Sequence, residues 1–85
     1  MKWHVVWNAH SEELLRQAIA AASAPDEIII AVEAIESSLE KDPLDVGESR
    51  EHDERIHFQG RYGVFFRVKH QDRIVVIHSF WQWAK

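Results

Sequence analysis

The 85-residue sequence contains no cysteine. Without thiols the chain can form neither a disulfide framework nor a thiolate metal site, and it has no cysteine nucleophile. Burial of apolar side chains must therefore stabilise the fold. The sequence also lacks an apolar run approaching the ~20 residues that cross a bilayer, and the residues after Met1 do not form the apolar segment of a signal peptide. We therefore expect a cytoplasmic protein without membrane contacts.

Signals for a metal or a cofactor are also missing. With only three glycines the chain has no glycine-rich phosphate loop, and it has neither an HExxH pattern nor a serine–histidine–acid constellation. The histidines show none of the close spacings on one element that build a ligand set. They are His4, His10, His52, His57, His70 and His78. We expect neither a metal nor a cofactor.

Positive charge is in short supply, because the formal net charge is -4 and the sequence pI is about 5.8. Such a chain is weakly repelled by phosphate backbones at long range, which argues against a typical nucleic-acid binder. The charges are segregated along the chain, however. From Arg55 to Lys85 the sole acid is Asp72. One face of the folded protein can therefore still be basic.

The composition is that of an ordinary folded domain, with 46% apolar and 28% charged residues. A chain of this length buries one hydrophobic core. We therefore predict that residues 1–85 form a single domain.

The amino-terminal half predicts a strand and two helices. Alternating apolar residues over Lys2–Asn8 predict the strand. Ser11 followed by two acids predicts the cap of a first helix. Ser23 and Asp26 around Pro25 have the spacing of a capping box, which predicts that a second helix begins there. Its predicted apolar stripe consists of Ile28, Val32, Ile35 and Leu39, widened by Ile29 and Ala31.

The carboxyl-terminal half predicts strands. Pro43 should end the second helix near Lys41, and the polar residues 42–53 predict a connecting loop anchored by Leu44 and Val46. After Glu54 the apolar period becomes two in three consecutive segments joined by short polar connections, which predicts an antiparallel meander. The predicted fold is α+β: a helical hairpin packed on one face of a four-stranded antiparallel sheet, in the order β-α-α-β-β-β.

This order of elements resembles the RelE/ParE toxin superfamily, whose members are also described as plasmid-stabilisation or addiction-module toxins. The resemblance is carried by DPLDVGESRE at Asp42–Glu51, by a basic residue opening the next strand at Arg55, by GVFFRV at Gly63–Val68 and by RIVVIHSFW at Arg73–Trp81. It covers nearly the whole chain in element order and is specific over the second half.

The resemblance implies a toxin component of a type II toxin–antitoxin system, neutralised by a cognate antitoxin. In its nuclease branch it implies ribosome-dependent cleavage of mRNA without a metal, so that ribosome and mRNA would be partners. In the ParE branch the target is DNA gyrase. Many nucleases of the group carry an arginine where Gly63 follows Tyr62 here. A non-catalytic binding protein with the toxin fold is therefore an alternative.

Cleavage at a ribose 2′-hydroxyl requires a base, an acid and a cation that holds the phosphorane charge. The catalytic candidates on neighbouring predicted strands are Arg55, His57, Arg67 and His78. We expect His57 and Arg67 to reach one another if they share the open face of the sheet; otherwise they simply solvate it. The alternation of β-strand residues also allows His78 to be a half-buried structural histidine. The RNA-binding candidates are Arg61, Lys69 and Arg73.

Four tryptophans exceed what one small core requires. Trp3 and Trp7 share a predicted strand face and are best explained as core residues. Trp81 and Trp83 are candidates for a contact with an antitoxin or with a second copy of the chain, because aromatic residues are favoured at interface centres. A lid over the core is the alternative for this pair.

Overall fold

The computed structural model describes residues 2–49 and 54–82. Its elements in chain order are β1 (His4–Trp7), α1 (Ala9–Ala21), α2 (Pro25–Lys41), α3 (Pro43–Val46), β2 (Glu48–Ser49), β3 (Glu54–Gln59), β4 (Tyr62–Lys69) and β5 (Ile74–Gln82). Four main strands and the two-residue strand β2 form one sheet in the order β1-β5-β4-β3-β2. No helix in this part of the chain is both long and apolar enough to span a bilayer.

The α+β class and the helices packed on a sheet are confirmed, whereas the wholly antiparallel sheet is wrong. Strand β1 pairs in parallel with β5, and the remaining pairs are antiparallel. The predicted loop contains α3 and β2, and β2 reverses the chain once more before β3 begins. Because of this extra reversal, β3 and β5 run in the same direction as β1.

The start of α1 differs from the predicted one, whereas α2 begins at Pro25, within the segment where the sequence predicted it. Helix α1 begins at Ala9, and the side chain of Asn8 caps it by accepting a hydrogen bond from the Ser11 N–H at 2.9 Å. Ser11 is instead buried inside the helix, where its hydroxyl donates to the Ile77 carbonyl at 2.7 Å and ties α1 to β5. Helix α2 has no side-chain cap at Ala24, so the predicted capping box is not formed.

The core lies between the helices and one face of the sheet. On α2 the buried positions are Ile28, Ala31, Ile35 and Leu39. The predicted widening of the stripe is confirmed for Ala31 and wrong for Ile29, which is 44% exposed. The sheet contributes Tyr62, Val64, Phe66, Val75, Ile77 and Phe80. Trp3 and Trp7 pack against this cluster, as predicted. The Trp7 indole N–H also donates to the Glu36 carboxylate at 2.7 Å, which joins β1 to α2.

Candidate functional site

Strand register decides which side chains share the face of the sheet that points away from the core. Side chains alternate along a strand, and directly opposite residues on paired strands lie on the same face. Val64 and Phe66 on β4 point into the core. The residues that alternate with them on β4, and the partners of those residues on β3 and β5, therefore point the other way. We call this side the open face. Its members are Glu48, Glu54, Ile56, Phe58, Gly63, Phe65, Arg67, Lys69, Ile74, Val76, His78, Ser79 and Trp81.

A β-bulge places His78 on the open face. Phe65 pairs with Ser79 and Phe66 pairs with Ile77, so His78 is an extra residue on β5. The bulge shifts the alternation, and as a result both Ile77 and Phe80 reach the core. A strict period of two over β5 predicts His78 and Phe80 on the same face, and this prediction is wrong because the period cannot represent an inserted residue.

His78 and Glu54 are two ionisable residues in contact on the open face. The His78 Nε2 atom lies 3.1 Å from the Glu54 Oε2 atom, and their side chains are 22% and 28% exposed. The ring N–H is not aligned with the carboxylate oxygen as a well-formed hydrogen bond requires. The imidazole also stacks on Phe65, with ring centroids 6.0 Å apart and an interplanar angle of 10°. Phe65 thus fixes the ring beside the carboxylate.

Burial lowers the pKa of His78 below its ordinary value of 6.5. The Glu54 carboxylate opposes this by raising the pKa, whereas Arg67 and His10 lower it further. The imidazole is consequently neutral at neutral pH, and a neutral imidazole can accept a proton. The carboxylate beside it stabilises the imidazolium that forms.

NMR titration of the histidine rings checks this arrangement directly. We expect the pKa of His78 to fall below 6.5 in the wild-type protein, to fall further in Glu54→Gln and to rise in Arg67→Gln. Glu33→Gln, on the exposed side of α2, removes the same charge elsewhere and should leave this pKa unchanged. A pKa of His78 that does not respond to Glu54→Gln would contradict the observed contact.

Arg67 and Lys69 supply positive charge to the open face. Both are exposed on β4, and Arg67 lies directly opposite Glu54 on β3. The guanidinium of Arg67 also acts electrostatically on His78. Planar guanidinium groups are well suited to hold phosphate oxygens. A base, a carboxylate and an arginine are therefore grouped on one surface.

An aromatic cluster adjoins these three groups. Trp81 lies 4.9 Å from Phe65 and 6.1 Å from Phe58, measured between ring centroids. Gly63 makes room for the indole, because a Cβ on Gly63 would lie 2.6 Å from Cζ2 of Trp81. The glycine at this position is thus explained by packing, since the six-membered ring of Trp81 lies where a side chain would stand.

Arg55 and His57 lie on the other face. His57 is paired with Val64, and its Nδ1 is 3.1 Å from the Val46 carbonyl oxygen. Arg55 donates from one nitrogen to the carbonyls of Leu44 and Gly47, each at 2.7 Å. His57 and Arg67 therefore do not share the open face, and the contact predicted for that case is not formed. The two side chains instead brace α3 and the turn that follows it.

The remaining predicted residues are dispersed. Arg61, in the turn after β3, lines a shallow groove beside the α1–α2 connection. Arg73 has a left-handed backbone conformation with φ 54, and its guanidinium lies 4.6 Å from the centroid of the Trp3 ring, away from the open face. Trp83 lies outside the described residues. The predicted RNA-binding set is therefore represented on the open face by Lys69.

Sequence reasoning missed Glu54, Phe65 and Phe58 as parts of the site. The sequence does show that Glu54 opens a predicted strand, but its position opposite Arg67 depends on the register of β3 on β4. The register itself, however, was not readable from the pattern. Among the described residues, no three histidine, aspartate or glutamate side chains cluster so that they could hold a metal ion.

The sequence matches no protein-family model and no curated protein. Solved structures are similar in fold. A chain of the toxin–antitoxin complex RelBE2 from Mycobacterium tuberculosis has a TM-score of 0.81 at 20% identity, covering 96% of this chain and 99% of that one. A chain of the archaeal RelE–RelB complex from Pyrococcus horikoshii OT3 has a TM-score of 0.65 at 16% identity, covering 96% of each chain. The protein therefore has a RelE-type toxin fold, which confirms the resemblance at the level of fold.

Proposed function

We propose that the protein is the toxin component of a type II toxin–antitoxin system and cleaves mRNA on the ribosome without a metal. The observation that carries the proposal is the contact between His78 and Glu54 beside Arg67, on the open face of a RelE-type toxin fold. A fold alone does not define an activity. The grouping of a proton acceptor, its stabilising carboxylate and a cation supports one.

The chemistry follows from the roles of these side chains. His78 takes the proton of a ribose 2′-hydroxyl, and the 2′-oxygen attacks the adjacent phosphorus. Arg67 stabilises the negative charge of the phosphorane, and Glu54 stabilises the imidazolium. The bond from phosphorus to the 5′-oxygen then breaks, leaving a 2′,3′-cyclic phosphate. The departing 5′-oxygen lies on the far side of phosphorus from His78 and takes its proton from water.

Net charge supports the involvement of the ribosome. A chain with a net charge of -4 is weakly repelled by free RNA at long range, and Arg67 with Lys69 gives the open face only local positive charge. If the ribosome already holds the mRNA, the protein does not need to attract the mRNA over a long distance. A cognate antitoxin is the second partner we propose, because the similar solved structures are toxin–antitoxin complexes. Both partners imply a cytoplasmic protein.

Induced expression in a bacterial host tests the proposal. The wild-type chain should arrest growth and produce new 5′-hydroxyl ends in translated mRNA, mapped by primer extension, and co-expression of the small gene adjacent to this one should restore growth. A protein carrying both Glu54→Gln and His78→Gln serves as the control and should leave transcripts intact. Normal growth with intact transcripts would exclude the nuclease and favour a non-catalytic binding protein. Growth arrest with intact mRNA and relaxed plasmid DNA would instead identify gyrase as the target.

A further inference from the structure

We infer that the aromatic cluster of Phe58, Trp81 and Phe65 is a stacking subsite for one base of single-stranded RNA. The inference deepens the proposed function and rests on it for the identity of the polymer. It assigns a role to a surface that the proton-transfer residues do not use. It also specifies how an acidic protein holds its substrate.

The shape of the cluster is the first argument. Phe58 is 39% exposed, and among the described residues it is the sole aromatic one of the large apolar side chains that are exposed. It meets Trp81 edge-on at an interplanar angle of 89°. One side of the indole lies against the backbone of Gly63. Two aromatic rings therefore form a corner of the open face, and such a corner can receive a flat base.

Position is the second argument. From the cluster, Phe65 leads directly to His78 through the stacked contact at 6.0 Å. Arg67 and Lys69 follow Phe65 on the same side of β4. A nucleotide whose base stacks on one ring of this corner and meets the other ring with its edge can place its sugar and phosphate toward His78 and the two cations. The occupant that matches this charge pattern is a nucleotide rather than an apolar peptide side chain.

Electrostatics is the third argument. Stacking on aromatic side chains does not require net positive charge, because every base has a π-face. The two exposed cations of this face share it with Glu54 and Glu48, in a protein with a net charge of -4. Stacking therefore contributes affinity that phosphate contacts alone do not provide.

Binding of an uncleavable oligonucleotide tests the inference. The probe is a 2′-O-methyl RNA trinucleotide, and its affinity for the full chain is measured by calorimetry. We expect Phe58→Ala and Trp81→Ala to weaken binding about tenfold, whereas Trp81→Phe retains most of the affinity. Ile30→Ala truncates an apolar side chain that is 66% exposed on α2 and should have no effect.

Two further readouts separate stacking from charge and from folding defects. Lys69→Gln should reduce the slope of log affinity against log salt by about 0.7, the value for one phosphate contact on a single strand, while Phe58→Ala leaves the slope unchanged. An abasic residue at the stacked position should weaken binding to the wild-type protein and have no additional effect in Phe58→Ala. Equal abasic losses in both proteins, or no binding by the wild type, would overturn the inference.

The outcomes distinguish the subsite from the proposed function. Binding that depends on Phe58 and Trp81 without any cleavage of ribosome-bound mRNA would leave the subsite standing and remove the nuclease. Cleavage with an unchanged kcat/KM in Phe58→Ala would leave the nuclease standing and remove the subsite. If Trp81→Ala weakens only the complex with the antitoxin and not that with RNA, the cluster is a protein-binding surface and the inference fails.

Discussion

His78→Gln should reduce the rate of mRNA cleavage by the ribosome-bound protein about 10²- to 10⁴-fold, the range observed when a general base is removed. Glutamine keeps the size and polarity of the side chain but does not accept a proton at neutral pH. The measurement is single-turnover cleavage of a labelled mRNA in purified ribosome complexes. Since burial lowers the pKa of His78, wild-type cleavage should persist below pH 6.5 and decline once the imidazole becomes protonated.

His57→Gln is the matched control for this experiment. Both histidines are half-buried on adjacent parts of the same sheet, but His57 lies on the helix side next to the Val46 carbonyl. We expect His57→Gln to retain cleavage within a few-fold of the wild-type rate. An equal loss in both variants would indicate general structural damage, and a loss confined to His57→Gln would move the reaction to the other face.

Phe66→Ala should lower the free energy of unfolding by about 3–5 kcal/mol. The Phe66 ring is fully buried, with 0% exposure. It lies against Gly47 in the turn after α3, so closely that a Cβ on Gly47 would be 2.7 Å from the Cζ atom of Phe66. Truncation therefore opens a cavity at the centre of the core. Urea unfolding followed by circular dichroism measures the change, and Phe66→Leu provides a milder variant if the alanine variant does not fold.

Phe65→Ala is the control for that prediction, because Phe65 is the preceding residue on the same strand and faces the opposite way. It is only half-buried, so its truncation removes less apolar burial and should destabilise the fold by clearly less than Phe66→Ala. Its removal also frees the imidazole of His78 from its stacked contact and should alter the NMR titration of that residue. Equal destabilisation by the two changes would mean that the assignment of faces is wrong.

Element types were readable from the sequence because local periodicity reports them. The helical hairpin and the β3–β4–β5 meander are confirmed, and so is the alternation on β4, where Tyr62, Val64 and Phe66 face the core. Strand direction was not readable, because parallel and antiparallel partners require the same alternation. The direction of β3 depends on β2, and β2 has just two residues and no apolar pattern that would reveal it in the sequence.

The candidate site was only half predictable for a related reason. Arg67 and His78 were named from residue type and strand membership. Glu54 enters through the register of β3 on β4, and the position of His78 depends on a bulge, which is a property of two strands together rather than of one segment. Arg55 and His57 were misplaced because a shift of one residue moves a side chain to the opposite face. The catalytic assignment of both residues stays a prediction, and His57→Gln tests it for His57.

The parallel pairing of β1 with β5 joins His4 to Ile74, and therefore joins the beginning of the described chain to nearly its end. During synthesis β1 must wait without its parallel neighbour until β5 has been made. Contacts of such large sequence separation also slow folding, since a long loop must close before they form. Nascent chains consequently lack the finished sheet, and with it the surface that carries His78, until β5 has been synthesised.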